Sequence, residues 1–110
     1  LARVELDAFS GRPNPVWELD AVQTREFARQ LAGLKAAAVS VEIPGLGYRG
    51  FLVRDAQVYR FWRGHAFRGA STSSPDWIDV GRSVERWLLK TAHGTLDPTL
   101  YAHIVQELAD

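Results

Sequence analysis

The sequence predicts an α+β fold, an antiparallel or mixed sheet of about four strands in the order β-α-β-β-β-α-α with helices covering one face. Three observations carry that expectation. Apolar residues alternate with polar ones near the N-terminus and through the middle of the chain, the period of a half-buried strand. They recur at three- and four-residue spacing between positions 20 and 36 and twice more towards the C-terminus, the period of an amphipathic helix. Glycine and proline punctuate the joins.

Taken in order, Val4, Leu6 and Ala8 alternate with Arg3, Glu5, Asp7 and Phe9 and form the first strand. It is broken by Ser10-Gly11-Arg12-Pro13-Asn14-Pro15. The two proline rings fix φ and push Arg12 and Asn14 towards extended geometry, while Gly11 lets the chain turn. The loop is therefore stiff and holds a guanidinium and an amide. Asp20 with Gln23 makes a variant capping box, and Val22, Phe27, Leu31 and Leu34 supply the apolar stripe of a helix over 20–36. Val39, Val41 and Ile43 alternate with Ser40 and Glu42, which predicts a strand ended by Pro44.

Pro44-Gly45-Leu46-Gly47 is a turn by composition. Strands are expected over Tyr48–Arg54 and Gln57–Arg63, joined at Asp55-Ala56, with a short further piece at Ala66–Arg68. Residues 69–74 are small and polar and predict the least ordered stretch. A helix then starts either at Ser74-Pro75 or at Asp79, with Val84, Trp87 and Leu88 on one face and Gly94 as its stop. Asp97-Pro98 repeats the cap-plus-proline pattern ahead of Leu100, Tyr101, Ile104, Val105 and Leu108, so the last two helices should form a hairpin.

At 110 residues, 46% hydrophobic, the chain fits a single soluble domain over 1–110, with no run of about 18 apolar residues to span a membrane. Without cysteine it forms no disulfide and no thiolate site. Its redox compartment stays open, cytoplasmic or secreted. Beginning at Leu1 with no methionine, it is expected to have lost its natural start, and a signal peptide is one segment that could have preceded it. A net charge of zero argues against bulk attraction to nucleic acid. Charge is nonetheless uneven: Arg49, Arg54, Arg60, Arg63 and Arg68 face only Asp55 between positions 45 and 70, and acids prevail after 71.

No motif names a reaction or a cofactor. There is no Gly-x-Ser-x-Gly elbow, the three histidines are widely separated, and Gly45–Gly50 precedes a strand, unlike a dinucleotide loop. Two groups could move a proton: His65, in a loop between aromatic strands, and Asp7, on the polar face of the first strand beside the proline loop. The candidate ligand-binding residues are Ser10, Arg12, Asn14, Trp17, Tyr48, Arg49 and Trp62. Arginine offers planar, bidentate contacts to carboxylate or phosphate. Strict alternation through Val58–Arg63 puts aromatic area and one arginine on each face, which predicts a half-covered sheet with an exposed aromatic and basic patch.

The first functional expectation is thus a binding or interaction domain for a small anionic or aromatic ligand, a peptide or a protein surface, with self-association into a homodimer as a variant. The alternative is a small cofactor-free enzyme, an isomerase, cyclase or hydrolase, working through His65 or Asp7. The loop offers its own structural alternative, an Asn-Pro turn in which Asn14 serves neighbouring main chain. Phe9-Ser10-Gly11-Arg12-Pro13-Asn14-Pro15-x-Trp17-x-Leu19 together with Leu46-Gly47-Tyr48-Arg49-Gly50-Phe51 resembles a pattern found in small uncharacterised bacterial proteins. It covers under half of the chain and brings no activity, ligand or fold with it.

Overall fold

Four alternating residues at Arg3–Leu6 (β1) bury Val4 and Leu6 completely, so one face of this strand must lie on a core. A computed structural model describes residues 1–9, 11–69 and 74–109 and supplies that core. The chain turns back through Val16–Glu18 (β2), enters a helix at Ala21–Ala32 (α1) and leaves it for a two-residue strand, Lys35–Ala36 (β3). An irregular segment leads to three successive strands, Phe51–Arg54 (β4), Val58–Trp62 (β5) and His65–Arg68 (β6). Trp77–Ile78 (β7), a 3-10 turn at Val80–Arg82 and two helices, Ser83–Thr91 (α2) and Pro98–Glu107 (α3), complete it.

Among the described residues the strands form one antiparallel sheet in the order β2-β1-β4-β5-β6-β7-β3. The α+β class and antiparallel pairing agree with the sequence, but the sheet has seven strands where about four were expected. The additional strands, β2, β3 and β7, have three residues or fewer, too short for alternation to register in the sequence. Pairing across the sheet alone defines them. The expected strand at Val39–Ile43 does not form. Its apolar residues follow a surface they lie on: Val39 is exposed, Val41 half-buried and Ile43 buried against Trp62 and Phe67.

The helix expected to reach position 36 stops at Ala32, capped by Gly33, whose N–H donates to Gln30 O. Lys35 and Ala36 instead pair with Ile78 and Trp77, a tertiary ladder that overrides the helix preference of Lys and Ala. Asp20 and Gln23 close the expected capping box. Of the two starts open for the next helix, Asp79 is the cap: its carboxylate accepts from the Val84 and Glu85 N–H groups. Asp97 caps α3 through the Leu100 N–H.

The β5–β6 hairpin turns on Arg63 and Gly64, both at positive φ (45° and 78°), the pair that a two-residue turn with the sheet's own twist requires. The helices cover one face. Phe27 of α1 sits 5.8 Å from Phe61, ring to ring, and joins Val4, Leu6, Phe51, Val53 and the α2 residues Val84 and Leu88 in the main core. The other face is covered at its centre by the 41–48 segment, where Ile43 packs with Trp62 and Phe67. No helix among the described residues is long and apolar enough to cross a membrane.

Candidate functional site

The proline loop is held by Asn14. Its Oδ1 accepts from the Ala8 and Phe9 N–H groups at 3.1 and 2.9 Å. Its Nδ2 donates to Glu5 Oε2 at 2.9 Å and Asp7 Oδ1 at 3.3 Å. The amide is fully engaged in tying the loop to β1, the scaffold role that an Asn-Pro turn predicts. Arg12 is different. It is exposed, and its guanidinium carbon lies 3.8 Å from the centre of the Phe9 ring. Among the described residues it has no ion-pair or hydrogen-bond partner.

The contact is a cation–π one, and it leaves the Arg12 N–H groups without an acceptor among the described residues. Beside it lies a groove of about 320 Å³, walled on one side by Phe9, Arg12, Pro13, Asn14 and Pro15 and on the other by Thr95, Leu96, Asp97 and Leu100. The N-terminus of α3 therefore faces the loop. Ser10 lies outside the described residues, as do Ser71 and Ser73.

The remaining candidates do not converge on this groove. Trp17 is only 7% exposed, and its indole N–H donates to Thr91 Oγ1 of α2. Trp62, also 7% exposed, donates to Tyr48 O. Tyr48 turns its hydroxyl to the buried carboxylate of Glu85. Burial pushes that hydroxyl far above the ordinary tyrosine value, and the Glu85 charge adds to the shift. Glu85 also accepts from Gly64 N–H and from Arg82, so its two oxygens face four donors.

Arg49 and Arg60 clamp the buried Asp7. Arg49 donates to Oδ1 at 2.8 Å, and Arg60 donates to Oδ2 at 2.9 Å and to Arg49 O at 2.7 Å. Arg54 pairs with Glu5, and Arg63 with Glu107. The basic middle of the sequence is thus largely neutralised by acids from both ends of the chain. The expected exposed aromatic and basic patch is replaced by a covered one, because Trp62 packs beneath the 41–48 segment and Arg60 is buried against Asp7 and Arg49 O.

The two proton-transfer candidates stay apart. Asp7 donates its N–H to Gly50 O, Phe51 pairs with Phe61 beside it, and Trp62 pairs with His65. Asp7 and His65 are thereby separated by three strand spacings, about 14 Å. His65 Nδ1 is buried without a partner among the described residues. Among the described residues neither a carboxylate nor a hydroxyl orients it as an activated base requires.

Sequence reasoning missed the second wall of the groove. Asp97-Pro98 marked a helix start, but nothing local says that this start will face a loop more than eighty residues earlier. It also missed the Glu85 cluster, since a glutamate in the first turn of a helix reads as surface charge. Compared with known protein families, characterised proteins and solved structures, the chain matches none.

Proposed function

We propose that this chain is a non-catalytic binding domain whose ligand lies in the groove between the proline loop and the start of α3. The ligand presents an anionic group to Arg12 and apolar or aromatic area to Phe9, Pro13, Pro15 and Leu100. The observation that carries this reading is the pairing of a loop tied down by Asn14 with an exposed guanidinium that rests on Phe9 and has no hydrogen-bond or ion-pair partner among the described residues. A site ordered before binding loses little conformational freedom when it fills. The groove volume, about 320 Å³, lies at the small end of ordinary ligand sites. The enzyme alternative finds less support, because Asp7 is committed to two guanidiniums and His65 Nδ1 has no partner among the described residues.

A panel of small aromatic carboxylates, benzoate, phenylacetate and indole-3-acetate, followed by amide chemical shifts and calorimetry, tests the reading. The expected result is saturable binding with shifts at Phe9, Leu96 and Leu100, weakened about tenfold or more in Arg12→Ala, the scale of one charge-assisted hydrogen bond. Ligands that bind Arg12→Ala as tightly as the original chain, or that shift only distant residues, would remove the groove from consideration.

A further inference from the structure

The hairpin of α2 and α3 leaves an unfilled seam on its outer side. Along α2, Arg86, Leu89 and Lys90 follow one another at helical spacing, with His93 just past its end, and along α3, Tyr101, Ala102 and Val105 do the same, ending at the cap residue Leu108. One hollow runs between these stripes, and a second adjoins it at the connection between the helices. One, of about 310 Å³, lies between Arg86, Leu89 and Lys90 on one side and Tyr101, Val105 and Leu108 on the other. The next, of about 460 Å³, lies against the connection residues His93, Gly94 and Leu96 and the first turns of α3 at Pro98 and Ala102. Tyr101 borders both hollows, and His93 meets its ring edge-on at 5.9 Å. The inner faces of the helices, Val84, Leu88 and Ile104, are spent on the main core.

The seam has an apolar floor and a basic rim. Val105 is 48% exposed in it, whereas Leu89 and Leu108 form its base. Among the described residues neither Arg86 nor Lys90 has an ion-pair partner, and no carboxylate lines either hollow. Arg86 is steadied by its Nε–H bond to Gly81 O at 3.0 Å, which leaves its terminal nitrogens free.

We propose that this seam docks an acidic amphipathic helix from a partner protein. The charge of the rim requires carboxylates on the incoming segment, placed to meet two cations one helical turn apart. Shape requires a helix. The two seam helices hydrogen-bond their main chain internally and offer no ladder to an extended peptide, so recognition must go through side chains, and a helix brings its own main-chain bonds already made. A third helix laid into the groove of an antiparallel pair buries its apolar stripe by the same ridge-and-groove fit that pairs α2 with α3. The ten residues of α3 give a seam of about 15 Å, longer than a small anion needs and matched to a helix of about three turns. Arg12 takes no part in this proposal, although Leu96 borders both the loop groove and the second hollow.

A displayed library of amphipathic helices of about 14 residues, with its charged positions randomised, is selected on the original chain and counter-selected on a Lys90→Glu, Val105→Asp variant. Both substituted residues are exposed, and circular dichroism checks that the variant folds. The expected survivors carry Asp or Glu one turn apart beside an apolar stripe, become helical on binding, weaken as salt rises, and lose about tenfold or more in affinity for Arg86→Gln as well. They bind Arg12→Ala unchanged. Failure to enrich any sequence, survivors that are basic, uncharged or extended, or equal binding to the charge-reversed variant would each overturn the proposal.

Discussion

Asn14 and Arg12 stand two positions apart in one rigid loop and do opposite work. Asn14 satisfies two main-chain N–H groups and two carboxylates, so Asn14→Ala strands those partners and should cost about 1–3 kcal/mol in urea unfolding. A midpoint equal to the original chain's would show that the loop is held by its prolines alone. Arg12→Ala should leave that midpoint nearly unchanged, because its side chain is exposed. Tyr48 provides a pH signature. Its hydroxyl is held far above the ordinary value by burial and by Glu85, so the unfolded chain releases this proton first. Stability is then retained below about pH 10, where a free tyrosine titrates, and falls as pH rises beyond it. Spectrophotometric titration should find one of the three tyrosines refusing to ionise until the chain unfolds, and Tyr48→Phe should abolish that delayed component. Three phenols ionising together near the free value would contradict this placement. Gly50 was expected inside the strand Tyr48–Arg54, with no sign of a special backbone position. Its φ of +89° and a position where a Cβ would fall 2.1 Å from Phe61 O tie it to a strand crossing that no local pattern announces.

Elements follow from local signals where local signals are long. The box at Asp20 and Gln23, the cap at Asp97 and the stripe through Val84 and Leu88 were all readable, because caps and helical spacing are set within a few residues. Asp79 was one of two competing caps. Its burial raises the proton affinity of its carboxyl, an effect opposed by the N–H groups of Val84 and Glu85. Asp79→Ala should therefore destabilise by about 1–2 kcal/mol and speed hydrogen exchange at Val84 and Glu85. Unaltered exchange there would assign the helix start to the 3-10 turn before it. Short strands were not readable. β3 and β7 are two residues each and exist because Lys35 and Ala36 meet Ile78 and Trp77, so a helix-forming sequence yields to a ladder more than forty residues away.

Across the whole molecule, charges that are segregated along the chain are interleaved in space. The clamp on Asp7 joins β1 to β5 and to the segment before β4, and Asn14 extends it to the proline loop. Asp7→Asn would leave Arg60 buried without its counter-ion, a loss of about 3–5 kcal/mol when one member of a buried pair is removed. Chemical unfolding measures it, and a change below about 1 kcal/mol would place the clamp among solvent-screened surface pairs. By itself the sequence determined the α+β class, the main helices with the caps at Asp20 and Asp97, and the strands β1, β4 and β5, since each rests on the spacing or stereochemistry of neighbouring residues. Only the tertiary structure decided that the sheet has seven strands, that Trp17, Trp62 and Arg60 are buried, and that the proline loop faces the start of α3. Those outcomes depend on contacts between residues far apart in the chain, and periodicity carries no information about which distant surface a given face will meet.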